Sequence, residues 1–501
     1  MRLSDLLAEL RSAAPELLVG GPSPLEVDPQ VSAVVQDDRR VSPGALFVAR
    51  RGERFDGHDH ADDAVARGAV AVVGDRQEER LPASGRKVPY VRVVDAKRAL
   101  PHLAAAFHGH PSRHLNVHGV TGTDGKTTTS FLLAHLLGSS FSTGLVSTAA
   151  VRLGDEALQL EGHFTTPEAP EVQAYLARFT EAGATHAVLE SSSHGFSQHR
   201  LDAVQYAVGV VTNLSPEHLD HHKTVEAYLE AKATLVRRAR TAVLNVDDDH
   251  WPAFERAARE GGAKVVTYGT SEGADLRLLG VSPSSGALDL KLDVFGERRT
   301  ARLPMVGRYN AWNAAGALAA ARIAGLDLDA ALQALDGFAG VPGRMQVVTT
   351  GPFTVIVDFA HTPPALTKAL EATRRPGSRT IVVIGSAGER DPGKRGPLGA
   401  AATEGADVAV FTEEDSRSEP VQQILAAMAA GAESKGGVRG VTYHLEPDRE
   451  RAIALAYELA APGDVVVLAG KGHEATLERD GETLPWDEAA LARSLLPGAG
   501  A

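Results

Sequence analysis

The 501-residue sequence contains no cysteine. That excludes disulfides, a cysteine nucleophile and thiolate metal sites, although it does not fix a compartment, since secreted and heat-adapted chains can share the trait. Long apolar runs are also missing. No uncharged stretch approaches the ~20 residues that a membrane-spanning helix needs, so no membrane partner is expected. Positive charge is in deficit: 51 Lys and Arg stand against 64 Asp and Glu, for a formal net charge of −13, and no Lys/Arg cluster interrupts the balance. A nucleic-acid binder would carry a basic stripe, so none is expected here. There is no fixed-period repeat and no long low-complexity linker. Met1 to Leu18 sets Arg2, Asp5, Glu9, Arg11 and Glu16 among apolar residues, the pattern of a short amphipathic helix and not of a signal peptide. A soluble, cytoplasmic chain is the expectation, and its length predicts two to four domains.

What the sequence does contain is a glycine-rich turn, Gly119 to Thr129, reading G-V-T-G-T-D-G-K-T-T-T. Leu115 to Val120 before it reads as a strand and Thr127 to Leu137 after it as a helix. Strand, turn and helix start form a phosphate cradle: glycines let backbone N–H groups converge on phosphate oxygens and the helix dipole favours the anion. Lys126 is placed to reach the β and γ phosphates and Thr127 to put its hydroxyl on Mg²⁺. Five residues, one more than the standard pattern, separate Gly119 from Gly125.

Three segments follow from the hydrophobic pattern. Residues 1–114 mix short strands (Val31 to Val35, Ala45 to Val48, Ala69 to Val73) with turns that hold Asp37-Asp38-Arg39 and Gly57-His58-Asp59-His60, and predict a small mixed α/β domain. Residues 115–340 alternate apolar strands (His186 to Leu189, Val208 to Thr212, Ala242 to Val246) with helices. This predicts a P-loop ATPase-like, mostly parallel sheet, with antiparallel strands appended over Leu276 to Leu303. The turn Gly340-Val341-Pro342-Gly343 marks a boundary, after which residues 341–501 restart the α/β rhythm (Phe353 to Val357, Thr380 to Ile384, Val408 to Phe411, Val465 to Leu468) as a Rossmann-like domain without its own P-loop. Two such α/β domains imply a cleft suited to a reaction that needs closure.

Residues just after central strands face the ligand crevice of an open α/β sheet. Glu190-Ser191-Ser192-Ser193-His194 follows one such strand and Asn213 to His222 another. Glu190 is the expected carboxylate partner of Thr127 around Mg²⁺. The histidine-rich stretch has no spacing for a closed zinc site. One histidine serving a second hard cation fits better, with His221 and His222 read as residues of a solvated helix start. Ser192 and His194 lack a G-x-S-x-G elbow, so covalent serine chemistry drops out.

Taken together the motifs resemble those of the Mur ligases, the ATP-dependent peptide-bond-forming enzymes of bacterial cell-wall synthesis. The markers are V-T-G-T-D-G-K-T-T, T-T-P-E-A-P at Thr165 to Pro170, E-x-S-S-H with Gln198 and Arg200, T-N-L-S-x-x-H-L-D, Tyr228-x-x-Ala231-Lys232, Asn310 with Asn313, Pro342-Gly343-Arg344-Met345, Val357 to Pro363, and Ala469-Gly470-Lys471-Gly472-His473-Glu474. They run in order from about Val31 to Glu488. The resemblance is strongest to the branch that adds a diamino acid to UDP-N-acetylmuramoyl-L-alanyl-D-glutamate.

By matching position, the resemblance implies ATP binding by Gly122, Thr123, Asp124, Gly125, Lys126, Thr127, Thr128, Asn310, Asn313, Arg344 and Asp358. It implies Mg²⁺ at Thr127 and Glu190, a second ion at His218, and a CO₂-derived carbamate on Lys232. Lys126, Lys232 and His218 would form the catalytic set. Asp38, His58, Thr165, Thr166, Ser192, Gln198 and Arg200 would hold the UDP-muramoyl-dipeptide, and Arg390, Asp415, Arg417, Gly470 and Glu474 the free amino acid. A monomer is expected. A neutral lysine that takes up CO₂ becomes an anion, which suits a Mg²⁺-rich site better than an ammonium.

The departures are informative. Asp124 stands where the family usually has asparagine, Glu217 where it has aspartate, and Asp38 where it has serine. Glu414-Asp415-Ser416-Arg417 replaces the D-N-P-R of enzymes that select meso-diaminopimelate. With Glu413, Glu414 and Asp415 in a row, a cationic side-chain terminus such as that of lysine or ornithine is favoured over a second carboxylate. The expected reaction passes through an acyl phosphate on the D-glutamyl carboxylate. The alternatives are another Mur-type or folylpolyglutamate-type ligase, or a nucleotide-binding scaffold without turnover. The Gly52 to His58 pattern G-x-x-F-D-G-H, the G-K-G-H-E motif and the joint presence of Lys126, Glu190, His218 and Lys232 weigh against these.

Overall fold

The computed structural model describes residues 1–19, 27–52, 55–76, 88–158, 165–284 and 286–496, so positions 53 and 54 of the Gly52 to His58 motif lie outside the described residues. The chain forms two compact units, Met1–Leu276 with Ala315–Ala331, and Arg277–Ala314 with Leu332–Ala501. Among the described residues, no helix is long and apolar enough to cross a membrane.

The first unit begins with a helix, Leu3–Ala13, that buries Leu3, Leu6 and Leu10 along one face, the spacing of an amphipathic helix. These leucines pack with Leu46, Val48, Val73, Leu100 and Leu103 over a four-stranded parallel sheet. Its strands are β1 (Ala33–Val35), β2 (Ala45–Ala49), β3 (Ala71–Gly74) and β4 (Tyr90–Arg92), in that order. The sequence places Asp37-Asp38-Arg39 and Gly57 to His60 in plain loops. Both form single 3₁₀ turns, because Asp37 and Asp56 accept hydrogen bonds from the backbone N–H two residues on, at Arg39 and His58.

The same unit holds β5 (Asn116–Thr121), β6 (Thr143–Val146), β7 (Val151–Leu153), β8 (Glu156–Leu158), β9 (His186–Glu190), β10 (Tyr206–Val211), β11 (Ala239–Asn245) and β12 (Lys264–Gly269). They run in the order β12-β11-β10-β5-β9-β6-β7-β8. Pairing is parallel from β12 to β6, and β7 and β8 close the edge antiparallel. Strand β5 is central, with Val120 opposite Glu190 of β9 and Thr121 opposite Val211 of β10. The C-terminal ends of these three strands therefore stand side by side, which is where ligands sit in open α/β sheets.

The second unit carries the appended antiparallel strands: β13 (Leu276–Ser284), β14 (Ala287–Val294) and β15 (Glu297–Leu303). Leu288, Leu290, Leu292 and Val294 are buried at every second position of β14, while Asp289 and Lys291 face outward. Its main sheet comprises β16 (Gln346–Thr349), β17 (Thr354–Asp358), β18 (Thr380–Ile384), β19 (Val408–Phe411), β20 (Tyr443–Leu445) and β21 (Val465–Ala469), in the order β16-β17-β21-β18-β19-β20. All pairs but β16 with β17 are parallel, and β17, β18 and β21 are buried throughout, as continuous apolar runs of a doubly covered sheet should be. A hairpin, β22 (Thr476–Arg479) and β23 (Glu482–Pro485), follows.

At the ends of β19 and β21, fully buried Arg449 pairs with equally buried Glu488 and donates to the carbonyls of Glu413 and Ala469. Removing one member leaves the other as an uncompensated buried charge. Glu488→Ala is therefore expected to cost about 3–5 kcal/mol, seen as a lower urea midpoint for unfolding. An unchanged midpoint would show that the pair does not hold this unit together.

Candidate active site

The phosphate loop is shaped by two left-handed glycines and pinned from β10. Gly122 has φ of 148° and Gly125 of 81°, and a Cβ on Gly122 would stand 1.8 Å from Thr212 Oγ1. The Asp124 N–H donates to Asn213 Oδ1 at 2.9 Å, and the Asp124 carbonyl accepts from Thr212 Oγ1 at 2.6 Å and Asn213 Nδ2 at 3.1 Å. The pinning runs through the backbone of residue 124, so it does not depend on aspartate or asparagine there. Lys126 folds its amine over the loop, donating to the carbonyls of Thr123 at 2.7 Å and Gly122 at 3.1 Å. Thr127 and Thr128 are buried in the first turn of the helix Lys126–Gly138.

Thr127 Oγ1 donates to Glu190 Oε1 at 2.9 Å, so the threonine and strand-end carboxylate expected to share a cation are in contact. The other oxygen, Oε2, takes the Ser147 hydroxyl and the Thr148 N–H. Glu190 is 1 % exposed. A buried carboxylate among hydroxyls is a hard-oxygen donor set, the kind that suits Mg²⁺.

Lys232 reaches the same loop from the helix Val225–Arg238. Its Nζ donates to the Gly122 carbonyl at 2.5 Å and lies 4.4 Å from the centre of the Tyr228 ring. Burial, with the nearby charge of Lys126 as a second cause, holds its amine well below the usual lysine range. A neutral amine is the form that adds CO₂, so the residue fits the carbamate that the motif implies. Tyr228 is held in turn by Thr123, whose hydroxyl also binds Ser215. His218 sits in a left-handed turn (φ 54°) with its side chain 45 % exposed, 3.6 Å from the Glu217 carboxylate. Partial burial lowers its pKa, with Glu217 opposing.

A continuous polar chain leads from Glu190 toward the N-terminal strands. Thr166 Oγ1 donates to the Glu190 carbonyl and contacts Ser192 Oγ, each at 2.9 Å. Arg200 donates to the Thr166 carbonyl at 2.8 Å and Gln198 Oε1 at 2.6 Å. Glu168 bridges Arg200 at 2.9 Å and Arg50 at 3.2 Å. Thr165 immediately precedes Thr166 and is half-buried. Next to this polar chain a cavity of 770 Å³ is lined by Val35, Gln36, Asp37, Arg40, Glu168 and Tyr175. Arg50, Glu168 and Ser147 carried no assignment from the sequence; Glu168 lies inside T-T-P-E-A-P, and its pairing required a partner 118 residues away.

Two predicted ligand contacts are occupied internally. His58 is buried, with Nδ1 on Asp56 Oδ1 at 2.6 Å and Nε2 accepting the Asp75 N–H at 3.1 Å, so both ring nitrogens are spent on the fold. Asp38 pairs with Arg67 at 2.5 Å.

In the second unit, Asn310 donates to the Val306 carbonyl at 2.7 Å and receives Asn313 Nδ2 at 2.9 Å. Asp358 accepts the N–H groups of Met345 and Ala360, and burial raises its pKa, with Arg344 opposing. The Arg344 guanidinium lies 4.7 Å from the Phe359 ring centre. Gly343 admits no side chain, since a Cβ would fall 2.1 Å from His473 N.

The acidic stretch is less negative than its sequence suggests. Glu413 is paired with Arg479, and Asp415 accepts from Lys471 Nζ at 2.8 Å and the Glu478 N–H at 2.9 Å. Lys471 also pairs with Glu474 at 2.8 Å, and burial is the main reason that the Glu474 pKa is raised. Glu414 differs: it is buried, its Oε2 has no hydrogen-bond partner among the described residues, and burial raises its pKa. A Cβ on Gly470 would stand 2.8 Å from that oxygen, so a side chain there would crowd it. Arg417 Nε is held by Glu478 and its NH1 by the Gly388 carbonyl, each at 2.6 Å. Arg390 is exposed on the loop after β18.

The reading of His221 and His222 as a solvated helix start needs correction. His222 is buried against Ser193, and both rings pack on His194 from the helix Ser193–Ser197. Burial and the neighbouring rings push His194 and His222 down to about 4. The contact joins segments 27 and more residues apart, which spacing within one segment cannot reveal.

Models of three families match the chain: the Mur ligase family catalytic domain over residues 30–108, the Mur ligase middle domain over 120–321 and the Mur ligase glutamate ligase domain over 343–472. A UDP-N-acetylmuramyl-tripeptide synthetase of Deinococcus radiodurans is 47 % identical over 503 aligned residues, covering 99 % of both chains. A protein of that name from Roseiflexus sp. is 42 % identical, covering 94 % of this chain and 95 % of its own. A solved UDP-N-acetylmuramoyl-L-alanyl-D-glutamate–2,6-diaminopimelate ligase aligns with a TM-score of 0.68 at 31 % identity, over 97 % of this chain and 98 % of that one.

The loop geometry makes a direct prediction. Gly122→Ala puts a methyl group into Thr212 and forces an L-residue into a glycine-only conformation. Nucleotide affinity, measured by calorimetry with ATP and Mg²⁺, should fall at least about tenfold, the scale of a 1–3 kcal/mol backbone strain. Unchanged affinity would mean that the loop does not take the phosphates.

Proposed function

The chain belongs to the Mur ligase family, and we propose that within it this enzyme joins a free basic diamino acid to the D-glutamate of UDP-N-acetylmuramoyl-L-alanyl-D-glutamate at the expense of ATP, in peptidoglycan precursor synthesis. The observation that carries this reading is the meeting of Lys126 and Lys232 on one loop carbonyl beside the Thr127–Glu190 pair. A P-loop alone moves a phosphoryl group to many acceptors. A second buried lysine of lowered pKa in the same place, fit to carry a carbamate, supports a carboxylate acceptor.

In this reading the substrate carboxylate attacks the γ phosphate of ATP, ADP leaves, the incoming amine attacks the acyl phosphate, and inorganic phosphate departs. Lys126 and the loop N–H groups offset the charge that develops on the phosphoryl oxygens. Thr127 and Glu190 would hold one Mg²⁺, and His218 with a carbamate on Lys232 would hold another. When bound, the ions supply charge neutralisation for the triphosphate. Thr165, Thr166, Ser192, Gln198 and Arg200 position the muramoyl-dipeptide, and the cavity beside Asp37 and Arg40 takes its nucleotide end. His58 serves that end only by holding the Asp56 and Asp75 loops. Asn310, Asn313, Asp358 and Arg344 serve the nucleoside and phosphates of ATP.

The amino acid is L-lysine or L-ornithine in preference to meso-diaminopimelate. Arg417, the residue that would meet a distal carboxylate, already spends its Nε–H on Glu478 and an NH1 hydrogen on the Gly388 carbonyl. Glu414 instead offers a buried carboxylate oxygen without a hydrogen-bond partner among the described residues, which a terminal ammonium would supply. Gly470 and Glu474 frame the amino acid together with Arg390 and with Asp415, which shares the Lys471 amine with Glu474. This choice differs from that of the solved 2,6-diaminopimelate ligase.

Two experiments test the reading. Phosphate release should require both the UDP-muramoyl-dipeptide and an amino acid, with lysine or ornithine turned over at least about tenfold faster than diaminopimelate, a 1.4 kcal/mol difference. A preference for diaminopimelate would overturn the role given to Glu414, and release without an amino acid would overturn the ligase assignment. Lys232→Ala should lose roughly three orders of magnitude in rate and regain part of it with added short carboxylates. Wild-type turnover in that variant would remove the carbamate from the account.

A further inference from the structure

Three histidines from two separate segments meet beside His218, and the proposed ligation uses none of them. His194 lies on the helix Ser193–Ser197 that follows β9, and His221 and His222 end the helix Leu219–His222 that follows β10. One nitrogen of each ring lies within 4.8 Å of those of the other two. Ring centres are 4.3 Å apart for His194 and His221, 4.7 Å for His221 and His222, and 5.4 Å for His194 and His222. Tetrahedral zinc bound at ~2.0–2.1 Å sets its nitrogen ligands about 3.4 Å apart. Closing the triad therefore asks for at most about 1.4 Å of movement, within the reach of small ring rotations.

A second feature is independent of this proximity. Nε2 of His222 stands 3.0 Å from Ser193 Oγ, and Nε2 of His221 stands 3.0 Å from Ser197 Oγ. Both serines are on the helix of His194. Metal-bound imidazoles characteristically keep such a partner on the nitrogen away from the ion, where it fixes tautomer and ring orientation. The donor set is all imidazole, which suits borderline transition ions, whereas Mg²⁺ takes carboxylate, carbonyl and water oxygens. Three protein nitrogens leave a fourth position open.

We propose that His194, His221 and His222 form a binding site for a transition-metal dication of the Zn²⁺ class, separate from the Mg²⁺ positions, and that its occupation inhibits ligation. The inhibitory part rests on the ligase reading; the site itself does not. His194 packs edge-on against His218, with ring centres 4.8 Å apart, and His218 immediately precedes the helix that ends in His221 and His222. An ion drawing the triad together therefore displaces the histidine assigned to the second Mg²⁺. It also clamps the segment that carries Ser192, Gln198 and Arg200.

Cobalt(II) and zinc(II) are the probes. The full chain, in excess Mg²⁺, is titrated with Co²⁺ while visible absorption is followed, and Zn²⁺ affinity is read by competition with a chromophoric chelator. The site predicts one Co²⁺ per chain with ligand-field bands of a low-coordinate nitrogen site, displaced by Zn²⁺, and ligation that falls as Zn²⁺ binds. His221→Gln, at a half-exposed position outside the catalytic set, should keep its zinc-free ligation rate, bind Zn²⁺ at least about 100-fold more weakly, and resist zinc inhibition. Ser197→Ala should weaken binding about tenfold, the scale of a lost outer partner. Absence of Zn²⁺ binding in the micromolar range would overturn the site, as would equal affinity in wild type and His221→Gln. Binding abolished by saturating ATP and Mg²⁺ would assign the ion to the Mg²⁺ positions and overturn it as well. Zinc binding without inhibition would leave the site and refute its inhibitory role.

Discussion

Two lysine amines held on one carbonyl oxygen cannot both keep a full charge cheaply. At ~4–5 Å and an effective dielectric constant near 20, their repulsion is about 3–4 kcal/mol. Lys126 and Lys232 share the Gly122 carbonyl, and Lys232 is the one deprived of water. Burial, with the Lys126 charge as second cause, lowers the Lys232 pKa, which favours the neutral amine that adds CO₂ in a place where an anion would be welcome. The constraint that would be a defect in a structural core is thus what equips the site.

That arrangement depends on the sheet beneath it. Strand β5 lies between β9 and β10, so the loop, Glu190 and Thr212-Asn213 emerge at one level. Gly122 can approach Thr212 only because it lacks a Cβ, and its carbonyl is thereby turned toward both amines. The Glu190 carboxylate and carbonyl are then used on opposite sides, one toward Thr127 and Ser147, the other toward Thr166 and the Arg200 chain. A single strand end thus joins the phosphate loop to the residues proposed to hold the muramoyl-dipeptide.

Much of this was legible in the sequence because it rests on short-range patterns. Apolar runs marked Thr380–Ile384 and Val408–Phe411 to the residue, and alternation marked the β14 strand. The loop was evident from its glycines and G-K-T. What escaped were pairings across long separations. His58 looked like a ligand and is a pin between Asp56 and Asp75; the acidic run from Glu413 to Asp415 looked like an open negative patch and is two-thirds neutralised by Arg479 and Lys471. Charge in a sequence gives no partner, and burial decides which carboxylate is left, here Glu414. The hairpin β22–β23 does carry a local signal: Asp480-Gly481 between alternating stretches is a two-residue turn signature.

The central claim is that the phosphoryl group passes through the substrate's own carboxylate. It is tested most directly by labelling that D-glutamyl carboxylate with oxygen-18 and examining the inorganic phosphate released during ligation by mass spectrometry. An acyl phosphate requires one labelled oxygen in each phosphate released. Unlabelled phosphate, with amide product formed at the normal rate, would contradict the account.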